Sequence, residues 1–359
     1  MDSKAYLYFE NGSLYEANSF GYKIDKPYLS EIVFNTSMQG YQEILTDPSY
    51  CSQSLVMTYP SIGNYGINLE DNESITPHIK TLIVKDYCKD PSNFRSRLTL
   101  QSFLQNNQVH GLSNLDTRSI TKLIRSIGSS KIVISNNLLN THDLNELFLK
   151  ELETNQVSKV STKSTLHFSN STGPRVVIID YGYKKNILES LIERNCDVSI
   201  VPFNTTFEEI MSLSPSGVVL SNGPGDPNSI KDCAETIQKL QTKIPIFGIC
   251  MGHQLFAIAN GAKTEKMVFG NRGANHPVKN LTSNKIYLTS QNHGYCVSKK
   301  SVQNTELETT EVNLNDGTIE GLKHKKLPCF SVQYHPESAP GPNDTKFLFD
   351  LFINNLKGV

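Results

Sequence analysis

The strongest catalytic pattern in the sequence is centred on Cys250, in the segment 244–262 (IPIFGICMGHQLFAIANGA). An apolar run passes through Gly248 to Cys250, and a helical pattern begins at Gly252, so the motif is G-x-C-x-G. Small residues on both sides permit the tight strand-to-helix turn of the G-x-S-x-G hydrolases, with sulfur in place of oxygen. Main-chain N–H groups at the start of a helix stabilise a thiolate and an oxyanion. We therefore predict that Cys250 is a nucleophile. The alternative, a buried cysteine of a core strand, is the prediction for the other six cysteines.

A general base is predicted at His335, in the segment 330–337 (FSVQYHPE). The following proline favours an extended conformation at His335. In an extended chain the side chains of residues i and i+2 leave on the same side, so Glu337 can contact the imidazole nitrogen that faces away from the sulfur. A cysteine, a histidine and a carboxylate form the general triad for acyl transfer.

A third segment, 221–227 (SNGPGDP), follows an apolar run that is typical of a buried strand. Ligands bind at the carboxyl ends of parallel strands. Gly223 and Gly225 would leave main-chain amides uncovered there, pointing at an oxyanion or a substrate group. On composition alone, an ordinary turn is an equally good interpretation.

Other histidines near these motifs are not predicted to be catalytic. His253 follows Cys250 by three residues within the predicted helix, so we expect it to pack in the core, whereas His276 and His293 remain candidates for the site wall. The sequence has no G-x-x-x-x-G-K-[ST], G-x-G-x-x-G or H-E-x-x-H motif. Nucleotide chemistry would therefore need another chain, and no metal site is predicted.

These three motifs require strands that end at one edge of a sheet. From residue 174 onward, short apolar runs rich in β-branched residues alternate with helical patterns. Runs that are apolar on both faces are typical of a parallel sheet covered by helices. The predicted strands of this sheet are 175–180, 197–203, 216–222 and 243–249, with later strands in YLTSQN, CVSKK, IEGLKH and CFSVQYH.

The first 151 residues show a different pattern, and residues 152–173, dense in Ser, Thr and Asn, are predicted to be a linker. The fold class is therefore α/β, with an N-terminal α+β or mainly β domain (1–151) and a C-terminal domain (174–359) whose mostly parallel sheet is flanked by helices. In the N-terminal domain the predicted strands are 5–9, 13–17, 31–35 and 81–87, and the predicted helices are 94–107 and 117–128.

Composition excludes several classes of function. The formal net charge is −1, which gives no general attraction to nucleic acid or to an anionic membrane, and no uninterrupted apolar run is long enough for a membrane span. Seven cysteines without a C-x-x-C pair indicate a reducing compartment. The first twenty residues resemble neither a secretory signal nor a transit peptide. A sequence rich in Lys and Asn and poor in Arg and Ala suggests an A+T-rich genome, so the expected location is the plastid stroma of a plastid-encoded protein or the bacterial cytoplasm.

The motifs GPGDP, GICMGHQ and HPE, in this order, resemble the signature of the class I glutamine amidotransferases from about residue 174 onward. The segments 33–68, SNFRSRL (92–98) and LDTRSITKLIR (115–125) resemble the N-terminal domain of the carbamoyl phosphate synthetase small chains. In the C-terminal domain, FGNRGANHPVKN (269–280) and QNHGY (291–295) resemble the same small chains. The resemblance covers nearly the whole chain.

This resemblance implies hydrolysis of L-glutamine, with the ammonia passed to a large chain that makes carbamoyl phosphate from bicarbonate and ATP for arginine and pyrimidine synthesis. It implies no cofactor in this chain and ATP with Mg²⁺ on the large chain. Cys250 would attack the side-chain amide, main-chain donors near Gly225 and Met251 would hold the oxyanion, and His335, oriented by Glu337, would protonate ammonia and then activate water.

The resemblance also implies a set of residues that bind glutamine. Met251 is usually Leu in the family and Tyr295 usually Phe, and both changes roughly keep the volume, so retained chemistry is expected. Lys184 also falls in a family motif, but a lysine after a strand is by default on the surface, and Ser49 is otherwise an ordinary turn residue. The implied glutamine-binding residues are Ser49, Gly223, Gly225, Met251, Gln254, Asn292, Gly294 and Tyr295.

Two other functions remain open from the sequence. A free-standing thiol hydrolase of γ-glutamyl or peptide substrates could use the same fold, but the additional N-terminal domain and QNHGY argue against it. A non-catalytic scaffold subunit would keep the fold and lose the triad, whereas Cys250, His335 and Glu337 are all present.

Overall fold

The chain folds as two units, each with its own sheet. The computed structural model describes residues 3–168 and 172–356. The units are Met1–Glu153 and Thr154–Val359. Among the described residues, no helix has the length and apolar character needed to cross a membrane.

The segment predicted as a linker, 152–173, contributes secondary structure to the second unit. It contains the helix Gln156–Val160 and the strand Leu166–Phe168, while its residues 169–171 lie outside the described residues. The main-chain N–H of Thr162 in this segment donates to the Asp180 carboxylate (2.6 Å). The side-chain oxygen of Ser161 also accepts a hydrogen bond from the main-chain N–H of Phe203 (3.1 Å), so this segment packs as part of the second unit.

The first unit is a closed β-barrel with helices around it, as the mainly β prediction requires. The described barrel strands follow the order β1-β2-β8-β6-β4-β3-β9, with the neighbours β3/β4, β4/β6 and β6/β8 parallel and the remaining pairs antiparallel. Its elements are β1 (Ser3–Phe9), β2 (Leu14–Gly21), β3 (Tyr28–Asn35), α1 (Tyr41–Thr46), β4 (Gln53–Met57), β5 (Ser61–Ile62), β6 (Thr81–Ile83), β7 (Asp86–Tyr87), α2 (Leu100–Asn106), β8 (His110–Ser113), α3 (Thr117–Ile127), β9 (Lys131–Ser135) and α4 (Thr141–Phe148).

The helix predicted over 94–107 begins only at Leu100. The side-chain oxygen of Thr99 accepts a hydrogen bond from the N–H of Ser102 (3.1 Å), which makes Thr99 the N-cap. An N-cap residue has an extended backbone, so the residues before it cannot belong to the helix. The prediction was therefore wrong for residues 94–99.

The second unit is a ten-stranded sheet in the order β10-β12-β11-β13-β14-β19-β18-β17-β15-β16. Strands β12, β11, β13, β14 and β19 are parallel, and the others are antiparallel to their neighbours. Its elements are α5 (Gln156–Val160), β10 (Leu166–Phe168), β11 (Arg175–Asp180), α6 (Lys185–Ile192), β12 (Asp197–Pro202), α7 (Phe207–Ser212), β13 (Gly217–Leu220), α8 (Cys233–Gln241), β14 (Ile246–Ile249), α9 (Met251–Ala259), β15 (Thr264–Asn280), β16 (Ile286–Val297), α10 (Lys299–Val302), β17 (Leu307–Asn313), β18 (Ile319–His324), β19 (Cys329–Val332) and α11 (Phe347–Leu356).

Both faces of the parallel part are buried, as the sequence pattern predicts. In β11, Val177 and Ile179 pack on the side of α7, α8 and α9, whereas Val176 and Ile178 pack on the side of α6 and α11. Alternate residues of one strand thus enter two separate cores. This is the α/β arrangement predicted for the C-terminal domain.

The parallel strands bring the predicted motifs to one edge of the sheet. Strand β13 ends three residues before Gly223, β14 ends at the residue before Cys250, and β19 ends three residues before His335. Strand β14 lies between β13 and β19, so three distant segments of the sequence meet where these strands end.

Candidate active site

Cys250 occupies a strained turn between β14 and α9. Its backbone has φ 53° and ψ −101°, at the N-cap of α9. A non-glycine residue in such a region costs of the order of 1–3 kcal/mol and persists only where the surroundings hold it. The main-chain N–H of Cys250 donates to Val332 O (2.9 Å), and that of Gly252 donates to Ser221 O (3.0 Å). These bonds tie the turn to the ends of β19 and β13.

The two glycines of the motif are required by close backbone contacts. A Cβ atom on Gly252 would lie 2.2 Å from Leu220 O, and one on Gly248 would lie 2.8 Å from Gly252 O. Backbone atoms cannot move aside as a flexible side chain can. The G-x-C-x-G spacing therefore lets α9 start directly against the end of β13.

The thiol of Cys250 is buried between an acceptor and a donor. Its Sγ atom lies 3.6 Å from Asn292 O, to which the thiol can donate, and 3.7 Å from Nε2 of Gln333. Met251, the first residue of α9, carries one of the N–H groups that have no partner within the helix. The sulfur therefore lies at the helix terminus that the sequence predicts.

His335 and Glu337 form a buried pair. Nδ1 of His335 lies 2.7 Å from Oε1 of Glu337, and the main-chain N–H of His335 donates to Ser290 O (2.9 Å). Burial by itself would lower the pKa of His335, but the Glu337 carboxylate and the Cys250 side chain together raise it above its usual value. Nε2 of His335 has no hydrogen-bond partner among the described residues. The imidazole is thus oriented by Glu337 on one side and lies within reach of the sulfur.

Lys184 is part of this cluster, so its interpretation as a surface lysine was wrong. Its side chain is only 3% exposed, and Nζ lies 3.0 Å from Oε1 of Glu337. Nζ also donates to Ser338 O, and the main-chain N–H of Lys184 donates to Oδ1 of Asn222 (3.0 Å). Burial would raise the pKa of Glu337, but Lys184 and then His335 lower it below its usual value. The carboxylate therefore stays ionised between two cations.

These opposed pKa shifts predict how the cluster contributes to stability with pH. Because folding lowers the pKa of Glu337, this carboxylate contributes its full stabilisation at pH values above its ordinary pKa of 4.5. The stabilisation is lost as the pH falls through the pKa of the folded state. Because folding raises the pKa of His335, the protonated imidazole contributes its full stabilisation at pH values below its ordinary pKa of 6.5. This stabilisation is lost as the pH rises through the pKa of the folded state. We expect the contribution of the pair to be largest between about pH 4.5 and 6.5.

The measurement is urea unfolding at pH 5.5 and 8.5 for the wild type and for His335→Asn. The wild type should lose more stability than the variant between these pH values. Equal losses in both proteins would contradict the assignment of a raised pKa to His335.

Two of the predicted glutamine-binding residues contact Cys250 directly, and one of them, Gln254, donates its main-chain N–H to Cys250 O (3.2 Å). Nε2 of Gln254, in the first turn of α9, donates to Tyr295 O (2.9 Å), and Asn292 O faces the sulfur of Cys250. Gly294 lies between Asn292 and Tyr295 on β16, which pairs with β15. The antiparallel extension of the sheet thus supplies one side of the site.

The loop after β13 holds Gly223 and Gly225. A Cβ atom on Gly223 would lie 2.4 Å from Tyr181 O, and Gly225 has φ 88°. Position 223 therefore requires glycine because a side chain would collide with the main chain of Tyr181, and position 225 favours glycine because of its positive φ. Their roles toward glutamine stay predictions.

Ser49 belongs to the first unit. It lies in the 3₁₀ helix Pro48–Tyr50, is buried, and donates its main-chain N–H to Oδ1 of Asp47 (2.9 Å). Its binding of glutamine stays a prediction.

Three of the histidines outside the triad, His253, His276 and His293, lie in surroundings where burial disfavours the charged imidazole. Nδ1 of His253 bonds to Oγ of Ser331 (2.9 Å), and Nδ1 of His293 bonds to Tyr295 O (2.8 Å). Burial lowers the pKa of each of these two to about 3, and it also lowers the pKa of His276. The packing role predicted for His253 agrees with this position.

No group of three or more His, Cys, Asp or Glu side chains within residues 3–168 and 172–356 could hold a metal ion.

Sequence reasoning missed two residues of the site, Lys184 and Gln333. Lys184 follows the end of β11, which is the neighbour of β13, and Gln333 precedes His335 by two residues. A position just beyond a parallel strand, or two residues from a predicted base, is the signal that could have identified them.

The fold and the site define a class I glutamine amidotransferase. The family model "Glutamine amidotransferase class-I" matches residues 177–355, and the model "Carbamoyl-phosphate synthase small chain, CPSase domain" matches residues 7–134. The chain is 52% identical over 355 residues to the pyrimidine-specific small chain of carbamoyl phosphate synthase of Bacillus subtilis (strain 168). This alignment covers 99% of this chain and 96% of the relative. It is 51% identical over 360 residues to the carbamoyl phosphate synthase small chain of Staphylococcus epidermidis, with 99% and 97% covered.

The chain therefore belongs to the family of carbamoyl phosphate synthase small chains. Among solved structures it is similar to a glutamine amidotransferase of Thermotoga maritima, at 19% identity and a TM-score of 0.36, over 46% of this chain and 76% of that one.

Proposed function

We propose that this chain is the glutaminase component of a carbamoyl phosphate synthase, delivering ammonia to a large chain that makes carbamoyl phosphate from bicarbonate and ATP. The observation that carries the proposal is the buried His335–Glu337 pair beside Cys250, in a chain that belongs to this family over 99% of its length. The intact triad argues against a scaffold role.

In the first half of the reaction, the Cys250 thiolate attacks the carbon of the glutamine side-chain amide. The amide oxygen becomes an oxyanion, which main-chain N–H groups near Met251 and Gly225 stabilise. His335 has taken the proton of the Cys250 thiol, in agreement with its raised pKa, and it transfers that proton to the departing nitrogen. Ammonia leaves and a glutamyl thioester remains on sulfur.

In the second half, neutral His335 removes a proton from water, which attacks the thioester carbon. The carbon–sulfur bond breaks, glutamate leaves and the thiolate is restored. Glu337 keeps the imidazole oriented throughout, and Lys184 keeps Glu337 ionised. The residues proposed to bind the glutamine are Ser49, Gly223, Gly225, Met251, Gln254, Asn292, Gly294 and Tyr295.

The partner and the setting are part of the same proposal. ATP and Mg²⁺ would bind the large chain, and the product would serve arginine and pyrimidine synthesis. The relatives compared above come from bacteria, which favours a bacterial cytoplasm over the plastid stroma as the location.

The test is reconstitution with a bacterial carbamoyl phosphate synthase large chain. We expect the two chains to co-elute in gel filtration and to make carbamoyl phosphate from glutamine, whereas the large chain alone should use only ammonia. A chain that hydrolyses glutamine or γ-glutamyl substrates at the same rate with and without the large chain, and does not bind it, would instead be a free-standing hydrolase.

A further inference from the structure

Gln333 lies between the nucleophile and a predicted glutamine-binding residue, although no step described above uses it. Its side chain is fully buried. Its Oε1 atom accepts a hydrogen bond from Nε2 of Gln254 (3.1 Å), and its own Nε2 lies 3.7 Å from Sγ of Cys250. Its main-chain N–H donates to Glu320 O (2.8 Å), which fixes the backbone at this position.

The direction of these bonds follows from one atom whose role is unambiguous. Tyr295 O can only accept, so the Gln254 atom that it contacts must be the NH₂ group. The second hydrogen of that group then needs an acceptor, which Oε1 of Gln333 supplies. The NH₂ group of Gln333 is therefore the end that faces sulfur.

The sulfur meets two groups that suit its two protonation states. Asn292 O can only accept, so it pairs with the thiol but not with the thiolate. The Gln333 NH₂ group can only donate, so its bond to sulfur becomes stronger when the proton has moved to His335. Gln333 thus favours the charged form that attacks the amide.

We propose that Gln333 is a hydrogen-bond donor to the Cys250 thiolate and that it fixes the amide of Gln254 in the orientation that donates to Tyr295. This inference rests on the proposed function only for the identity of the substrate. The reactivity of the sulfur can be measured without glutamine.

The experiment measures the rate of Cys250 alkylation by iodoacetamide from pH 5 to 9 in the full chain, for the wild type, Gln333→Met and Gln333→Asn. Methionine keeps the approximate volume and removes the donor, while asparagine keeps an amide that is too short to reach sulfur. We expect alkylation at pH 7 to fall by about tenfold in both variants, the size of one hydrogen bond to a charged group. The pH profile should move to higher pH.

The matched control is Gln241→Met. Gln241 is also a buried glutamine, but its amide bonds to Asn260 on the far end of α9. We expect its alkylation rate and pH profile to equal those of the wild type. Thermal unfolding identifies any variant that does not fold, and the other Gln333 variant then decides the test.

A second readout uses glutamine hydrolysis. We expect kcat to fall about tenfold in Gln333→Met, together with a rise in KM because the Gln254 amide is no longer fixed. Folded Gln333 variants with an unchanged alkylation rate and pH profile would overturn the inference. If the wild type fails to hydrolyse glutamine but the Gln333 variants lose alkylation, the proposed function fails and the role of Gln333 stands.

Discussion

Replacing Cys250 by alanine should lower glutamine hydrolysis by at least about 10⁴-fold, because removing one member of a nucleophile–base unit removes nearly all the catalysis that the unit supplies. Ammonia-dependent synthesis by the complex with the large chain should not change, since ammonia bypasses this site. The loss should appear in kcat, as the thioester cannot form. The measurement is carbamoyl phosphate formation from glutamine and from ammonia in the same preparation.

Cys233→Ala is the control for this substitution. Cys233 is a partly buried cysteine of α8, its Sγ donates to Phe203 O (3.3 Å), and burial raises its pKa to about 11. Such a thiol stays neutral and away from the reaction, so both activities should be retained. Glutamine hydrolysis that survives in Cys250→Ala but falls in Cys233→Ala would contradict the assignment of the nucleophile.

The turn at Cys250 and the parallel strands could be predicted because local chemistry determines them. At Gly248 and Gly252 any Cβ atom would lie less than 3 Å from a backbone oxygen, so only glycine fits at these positions. The G-x-C-x-G motif makes this requirement visible in the sequence. The strand 175–180 is apolar at every position from 176 to 179, which indicates burial on both faces. Short-range patterns of this kind are sufficient for the α/β class.

Strand β15 shows where such patterns fail. It runs from Thr264 to Asn280 but includes Gly270, Gly273 and Pro277, residues that usually interrupt a strand. Its pairing with β16 shifts register twice, between Lys266 and Asn271 and between Gly273 and His276. These β-bulges accommodate the residues that interrupt the regular alternation of side chains along β15. Their positions depend on the pairing with β16, so they cannot be located from the sequence of β15 alone.

The buried ion pair of Lys184 could not be predicted from the sequence for a related reason, even though its position just beyond a parallel strand marks Lys184 as a candidate site residue. A lysine after a strand is normally exposed, and its burial depends on Glu337, which lies more than 150 positions later. The ion pair exists because β11 and β19 end at the same edge of the sheet. Long-range pairing of this kind cannot be read from local composition.

Breaking the Lys184–Glu337 ion pair should have a large effect on both activity and stability. Glu337→Gln should lower kcat for glutamine by about 10³- to 10⁴-fold, because an amide does not hold the imidazole in the required tautomer. It should also lower the free energy of unfolding by about 3–5 kcal/mol, since the Lys184 ammonium is left buried without its counter-charge. Urea unfolding at pH 7 and steady-state glutaminase assays measure the two effects.

The double variant Lys184→Met/Glu337→Gln separates the two effects. Removing the Lys184 ammonium as well should restore most of the stability, while the activity should stay low because the imidazole still lacks its carboxylate. Glu235→Gln is the control: Glu235 pairs with Lys239 on the exposed face of α8 (2.8 Å), where water screens the charges, so its loss should leave both the stability and the activity nearly unchanged. A double variant less stable than Glu337→Gln alone would show that Lys184 stabilises the site by packing, and not through the charge of Glu337.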